Sequence, residues 1–240
     1  MFKPKAVIFG AIGTIAETSD IQRRAFNMAF EAAGLNWSWD METYRDLLNI
    51  NGGQNRIRAY RDANPEYANV TDEMIISLHA DKTRHYAALL SKEPLHPRRG
   101  VVDLINACKS NGIPVAFCTS TSQANVNALG AALADSLPLD WFTTIITIDQ
   151  IPRPKPAPDA YLYCLERLDL KADQVIAIED TPVSIASAKA ANIKTIATPG
   201  ATTSKQDFSA ADWVLSSLDT IAIQHLGLPA VIVEPALPDI

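Results

Sequence analysis

Short apolar runs recur along the chain at Ala6-Val-Ile-Phe9, Ile113–Cys118, Thr144–Thr147, Val175–Ile178 and Lys194–Ala197, with Asp212–Leu215 as a last candidate. Polar or turn residues bound each run, and most lead into a stretch with helical spacing, so they predict buried strands. Strands alternating with helices predict a doubly wound α/β fold, a parallel sheet covered on both faces. From about residue 17 to 92 the alternation stops. The spacing there predicts four helices, over 20–34, 40–49, 56–64 and 71–90, the last with a capping start at Thr71-Asp-Glu. The expected organisation is a core made of 1–16 and 93–218 and an all-helical cap over 17–92. Linkers are expected near 15–17 and 91–99, the second marked by Pro94 and Pro97. The apolar tail 219–240 carries three prolines and is left unassigned.

The chain has 240 residues, enough for one core and a smaller insert without disulfide or metal staples. Its hydrophobic content of 48% and charged content of 20% exclude a disordered chain or a collagen. The net charge of −6 argues against nucleic acid as a partner, since a phosphate backbone calls for a basic field. An anionic ligand must therefore be met by a few local donors. No apolar run has the length of a membrane span, and the first residues lack a secretory cleavage pattern, so no membrane partner and a cytoplasmic location are expected. Cys108, Cys118 and Cys164 fit no zinc or redox spacing and are expected as buried thiols.

Four segments fall at or just after predicted strand ends: Phe9–Thr14, Cys118–Thr121, Arg153–Asp159 and Ile178–Thr181. In a doubly wound sheet such ends share one crevice. Thr119 and Ser120 precede a predicted helix, where hydroxyls and free N–H groups suit a phosphate; Thr119 can equally be a helix cap. Lys155, held among prolines, is placed either as a point charge toward an anion or as a solvated side chain. Glu179 and Asp180 are hard oxygen ligands suited to Mg²⁺, and Asp180 too can be a cap.

The order of these segments, with a helical cap after the first, resembles the haloacid dehalogenase superfamily. Within it the chain is similar to the CbbY-like sugar-phosphate phosphatases. The stretches Arg24-Ala-Phe-Asn27, Asn51-Gly-Gly-Gln-Asn-Arg-Ile57, Thr119–Asn125, Lys155-Pro-Ala-Pro-Asp159 and Ile178-Glu-Asp180 carry the likeness, which runs from about residue 5 to 218. It implies that Thr119, Ser120 and Lys155 bind a phosphate and that Glu179 and Asp180 hold Mg²⁺. It also implies that Glu17, Gly52, Gly53, Gln54 and Arg56 meet the substrate, a small phosphorylated metabolite of the sugar phosphate class, from the cap. The two glycines let backbone approach a ligand, or simply form an interhelical turn. Arg56 suits an oxyanion.

The family's first motif is Asp-x-Asp-Gly-Thr, whose aspartates are nucleophile and general acid/base. This chain has Gly10-Ala11-Ile12-Gly13-Thr14. Neither Gly10 nor Ile12 can attack phosphorus or carry a proton, and losing a nucleophile alone removes most activity. Mg²⁺ loses a ligand as well, so weak or absent binding is expected. In the cap, Gln22-Arg23 stands where the family often has His-Arg. The expectation is a pseudophosphatase that keeps a sugar-phosphate pocket. The alternatives are a Mg²⁺-dependent hydrolase with a displaced nucleophile (Thr14, Glu17 or Cys118) and a purely structural protein.

Overall fold

A computed structural model describes residues 3–10, 12–50, 52–219, 224 and 227–229. Ala11 and Asn51, and most of the tail expected over 219–240, lie outside the described residues.

The predicted strands form one sheet. They are β1 (Ala6–Phe9), β2 (Val115–Cys118), β3 (Thr144–Ile146), β4 (Val175–Glu179), β5 (Lys194–Ala197) and β6 (Trp213–Val214). All pairings are parallel, in the order β3-β2-β1-β4-β5-β6. The strands are apolar at nearly every position because both faces are covered. Period-two alternation sorts their side chains. Val7, Phe9, Val115, Phe117, Ile176 and Ile178 enter one core with the helices α6 (Val101–Ser110) and α7 (Gln123–Ala132). Ala6, Ile8, Ala116, Cys118, Val175 and Ala177 enter the other, against α8 (Asp159–Leu168) and α9 (Pro182–Ala190). The chain is therefore wound on both sides of β1. The short helix α1 (Ile12–Ile15) leads out of that strand.

Between α1 and α6 the chain is helical, as the spacing predicts. It contains α2 (Ser19–Ala32), α3 (Met41–Leu47), α4 (Gly53–Asp62) and α5 (Asp72–Leu90). Asp40 caps α3 by accepting from the Thr43 N–H at 2.8 Å, and Thr71 caps α5 by accepting from Met74 at 3.3 Å. Helix α4 starts at Gly53, ahead of the expected Arg56, because Gly52 turns the chain with φ +89°. The unit has its own core. Trp39 is fully buried between Phe26 and Phe30, 4.7 and 4.9 Å away by ring centroids, with Tyr60 at 5.5 Å.

The two expected linkers meet. Ala16 and Pro97 form an isolated antiparallel bridge, and the Arg98 N–H donates to the Ile15 carbonyl at 2.7 Å. The Arg98 guanidinium then ties the linker to the ends of other loops. It donates to the carbonyls of Gly13 (3.0 Å), Thr198 (2.7 Å) and Pro199 (2.9 Å). No described helix is long and apolar enough to cross a membrane.

Truncating Trp39 to Ala removes the centre of the aromatic cluster and leaves a cavity. The expected loss is about 3–5 kcal/mol in the stability of the helical unit. Denaturant titration followed by far-UV circular dichroism checks it, and a loss below 1 kcal/mol contradicts the packing described.

Candidate active site: a cleft between sheet and cap

The carboxyl ends of β1, β2 and β4 lie side by side, where the sheet order reverses about β1. Opposite them stand α2, α4 and α5. The cleft between has a volume of about 420 Å³. Its lower wall carries Ile12, Thr119, Ser120, Lys155 and Asp180, and its upper wall carries Gln22, Gly52, Gly53, Gln54, Arg56, His79 and Lys82. Asp180 is the only carboxylate among the described lining residues.

Several alternatives left open by the sequence are resolved by local geometry. Helix α7 is capped by Ser122, whose Oγ accepts from Asn125 at 3.4 Å, so Thr119 is not the cap. Thr119 Oγ1 instead accepts from the Thr121 N–H at 3.2 Å, holding the turn after β2. Helix α9 is capped by Thr181, not Asp180. Lys155 is not solvated, with 3% of its surface exposed. Its backbone N–H donates to Ser120 Oγ at 3.0 Å.

The floor is closed by a buried ion pair. Lys155 Nζ donates to Glu179 Oε1 at 2.6 Å, to the Cys118 carbonyl at 3.1 Å and to Tyr161 Oη at 3.4 Å. Tyr161 Oη also donates to Glu179 Oε1. Burial, with the Glu179 carboxylate next, holds the Tyr161 phenol well above its ordinary value. Glu179 is fully buried, and its other oxygen, Oε2, is enclosed without a hydrogen-bond partner. Its carboxylate fills the space beside Gly10. A Cβ built there lies 1.9 Å from Glu179 Cδ and 2.0 Å from each oxygen. Neither Gly10 nor Glu179 is among the residues that line the cleft.

Asp180 accepts from Thr14 Oγ1 at 3.2 Å. Burial, then the nearby Glu179, pushes its carboxyl up to about 7, against the pull of Arg98 and Lys155. Glu17 is not a lining residue. It lies 3.7 Å from Arg98, and its carboxylate packs against Gly200. Arg56 lines the cleft while its Nε donates to the carbonyls of Leu47 (3.1 Å) and Ile50 (2.9 Å), which fixes the turn before α4. The three cysteines are free and buried; burial pushes the Cys108 thiol up to about 12.

The cleft also holds two titratable residues that sequence reasoning missed. Lys82 is 4% exposed. It donates to Gln22 Oε1, and its ammonium lies 5.0 Å from the Phe26 ring and 4.9 Å from the Tyr86 ring. Burial, then Arg56, lowers its pKa to about 7. Burial and the same cations lower His79 to about 4, so it is neutral near pH 7. The clue to Lys82 was its place on the buried stripe Ile75, Leu78, Lys82, Tyr86, Leu90 of α5. A lysine on such a stripe needs a reason to be there.

The haloacid dehalogenase-like hydrolase profile matches residues 7–198, most of the chain. The chain belongs to the haloacid dehalogenase-like hydrolase family. Protein CbbY of Rhodobacter capsulatus is 39% identical over 225 residues, 92% of this chain and 97% of that protein. A plasmid-borne CbbY of Cupriavidus necator is 40% identical over 232 residues, 94% of this chain and 87% of that one. A crystal structure of CbbY from Rhodobacter sphaeroides in complex with phosphate matches with a TM-score of 0.83 at 36% identity, covering 90% of this chain and 95% of that one. A mutant of that protein in complex with xylulose-(1,5)bisphosphate matches equally well.

Phosphatases of the family generally use Mg²⁺, but the donors do not fit it as they stand. Among the described residues no three Asp, Glu, His or Cys side chains converge. Glu179 is engaged by Lys155 and Tyr161, and position 10 brings no carboxylate.

Lys82 gives the cleft a measurable pH signature. Its folded pKa lies below the unfolded value of 10.5, so the unfolded chain holds more protons between about 7 and 10.5. Stability contributed by this residue therefore rises with pH across that window and is lost as pH falls through about 7. Lys82→Met removes the slope and stabilises the protein at pH 6 by roughly 1–4 kcal/mol. Urea titrations of both proteins at pH 6 and pH 9 test this; parallel behaviour contradicts a desolvated Lys82.

Proposed function

We propose that this chain is a pseudophosphatase, a CbbY-like member of its family that closes on a small sugar phosphate without hydrolysing it. The reading rests on one observation: the Glu179 carboxylate stands in the space beside Gly10 and is bonded to Lys155 and Tyr161. Family chemistry needs a carboxylate free to attack and a second to move the proton. Among its described lining residues the cleft presents Asp180 as the one carboxylate, and Ile12 is a hydrocarbon. Glu179 is itself no substitute nucleophile, because it is fully buried and does not line the cleft. Of the earlier candidates, Thr14 donates to Asp180, Cys118 is buried in β2 and Glu17 lies aside with Arg98.

The pocket itself is retained. Thr119, Ser120 and Lys155 form its core side, and Gln54, Arg56 and the Gly52-Gly53 turn belong to its cap side. The relatives seen with phosphate and with a pentulose bisphosphate support a sugar phosphate as the ligand class.

A phosphate-release assay over sugar phosphates with Mg²⁺ tests the proposal. The wild type is expected to be silent. The Gly10→Asp, Ile12→Asp double mutant, whose position-10 side chain requires the Glu179 carboxylate to shift, is expected to gain about 10²–10⁴-fold. Metal-dependent turnover by the wild type, abolished by Glu17→Gln or Asp180→Asn, would falsify it.

A further inference from the structure

Two lysines line the cleft, and their surroundings differ. Lys155 Nζ is ion-paired with Glu179 at 2.6 Å. Lys82 stands on the buried stripe of α5, and among the described residues no carboxylate lies within ion-pair distance of it. The groups that face its Nζ come from three helices. From α2, Gln22 Oε1 accepts a hydrogen bond and the Phe26 ring lies at 5.0 Å. From α5 itself, the Tyr86 ring lies at 4.9 Å and His79 sits one turn away. From α4 comes Arg56, a second cation.

Apolar rings and a neighbouring cation are the two surroundings that turn a lysine into a nucleophile, because each favours the neutral amine over the ammonium. Burial, then Arg56, lowers the Lys82 pKa to about 7. About half of the side chain is then neutral near pH 7, against roughly one in a thousand for an exposed lysine. The bond to Gln22 uses an N–H and leaves the nitrogen lone pair free. The side chain is 4% exposed and lines a cleft of about 420 Å³, so a small guest in the cleft meets it while bulk water is largely kept away.

Resting on the sugar-phosphate reading above, we infer that Lys82 forms a reversible imine with the carbonyl group of an open-chain sugar phosphate held in the cleft. Its Nζ adds to the carbonyl carbon to give a carbinolamine. The two amine hydrogens and the carbonyl oxygen then leave as water, and a C=N bond replaces C=O. The step consumes no oxidant or reductant, and water reverses it. A pentulose phosphorylated at O5 is the guest best suited to it. With O5 esterified the sugar closes no five-membered ring on C2, so its ketone stays free. The relative seen with xylulose-(1,5)bisphosphate supports a pentulose as the sugar. A chain without the family's nucleophile thus holds its guest through the carbonyl end and leaves the phosphate ester intact.

The test traps the imine. The full-length protein is incubated near pH 7 with xylulose 5-phosphate and sodium cyanoborohydride, which reduces imines and spares ketones, and the modified peptides are mapped by mass spectrometry. The expected product is one adduct per chain on Lys82, with the mass of the sugar phosphate less one oxygen atom. It is expected at least about tenfold in excess over any other lysine, since only Lys82 is substantially neutral. Xylitol 5-phosphate, which lacks the carbonyl, is expected to give no adduct. Lys82→Arg keeps the charge and is expected to lose the adduct; a thermal melt establishes that it is folded, and the wild-type map needs no variant. Isothermal titration without reductant reads binding separately. Binding of xylulose 5-phosphate with the adduct absent, or spread over exposed lysines, overturns the inference and leaves the sugar-phosphate reading standing. If neither compound binds at millimolar concentration and no adduct forms, the sugar-phosphate reading fails and the inference fails with it.

Discussion

The contact between Lys155 and Glu179 governs the rest of the site. Both side chains are removed from water, and neither is stable there alone. The cysteine carbonyl at the end of β2, the phenol from α8 and the carboxylate from the end of β4 converge on one ammonium. Three separate elements are thereby fixed to one another at the strand ends. The room for this arrangement comes from Gly10. A side chain at that position would overlap the carboxylate, so the pair and the glycine belong to one arrangement.

The cap wall answers to different forces. Its shape comes from an aromatic core around Trp39 and from Arg56, which ties the turn before α4 through two backbone carbonyls. Its charge comes from placing Lys82 on the apolar stripe of α5 and satisfying it only with an amide and two rings. One wall of the cleft thus has its cation paired with Glu179, while on the other no carboxylate among the described residues lies within ion-pair distance of Lys82. The two walls therefore differ in charge, and the low polarity around Lys82 strengthens any interaction that its ammonium makes.

Most of the fold was legible in the chain because burial leaves a periodic trace. Five apolar runs become strands almost residue for residue, and Trp213–Val214 becomes the sixth. The helical interruption and its linkers stand out for the same reason. Glycine chemistry shifted one boundary: the turn at Gly52 allows α4 to begin earlier than its polar spacing implies. The candidate cleft was legible in part of its lining but not in its pairing, since Glu17 and Glu179 do not line it and His79 and Lys82 do. Thr119, Lys155 and Asp180 announce themselves by falling at strand ends. That Lys155 is spent on Glu179, or that Glu17 turns to Arg98, depends on contacts between residues far apart in sequence. Lys82 carried a trace in its stripe, but its burial is decided by Gln22, Phe26 and Tyr86 from two helices.

The bridge between Ala16 and Pro97 has a wider meaning. The insertion leaves the sheet and returns to it at a single point, so it is a detour in the path of the chain. The strand order, the register and the two sheet cores are set without it. The wall that faces the cleft from above is joined to the sheet layer by side chains instead, with Ile21, Ala25, Tyr86 and Leu90 packed against Ala128 and Ala132 of α7. In this architecture the groups at the strand ends and the groups on the helices above them belong to separate stretches of chain.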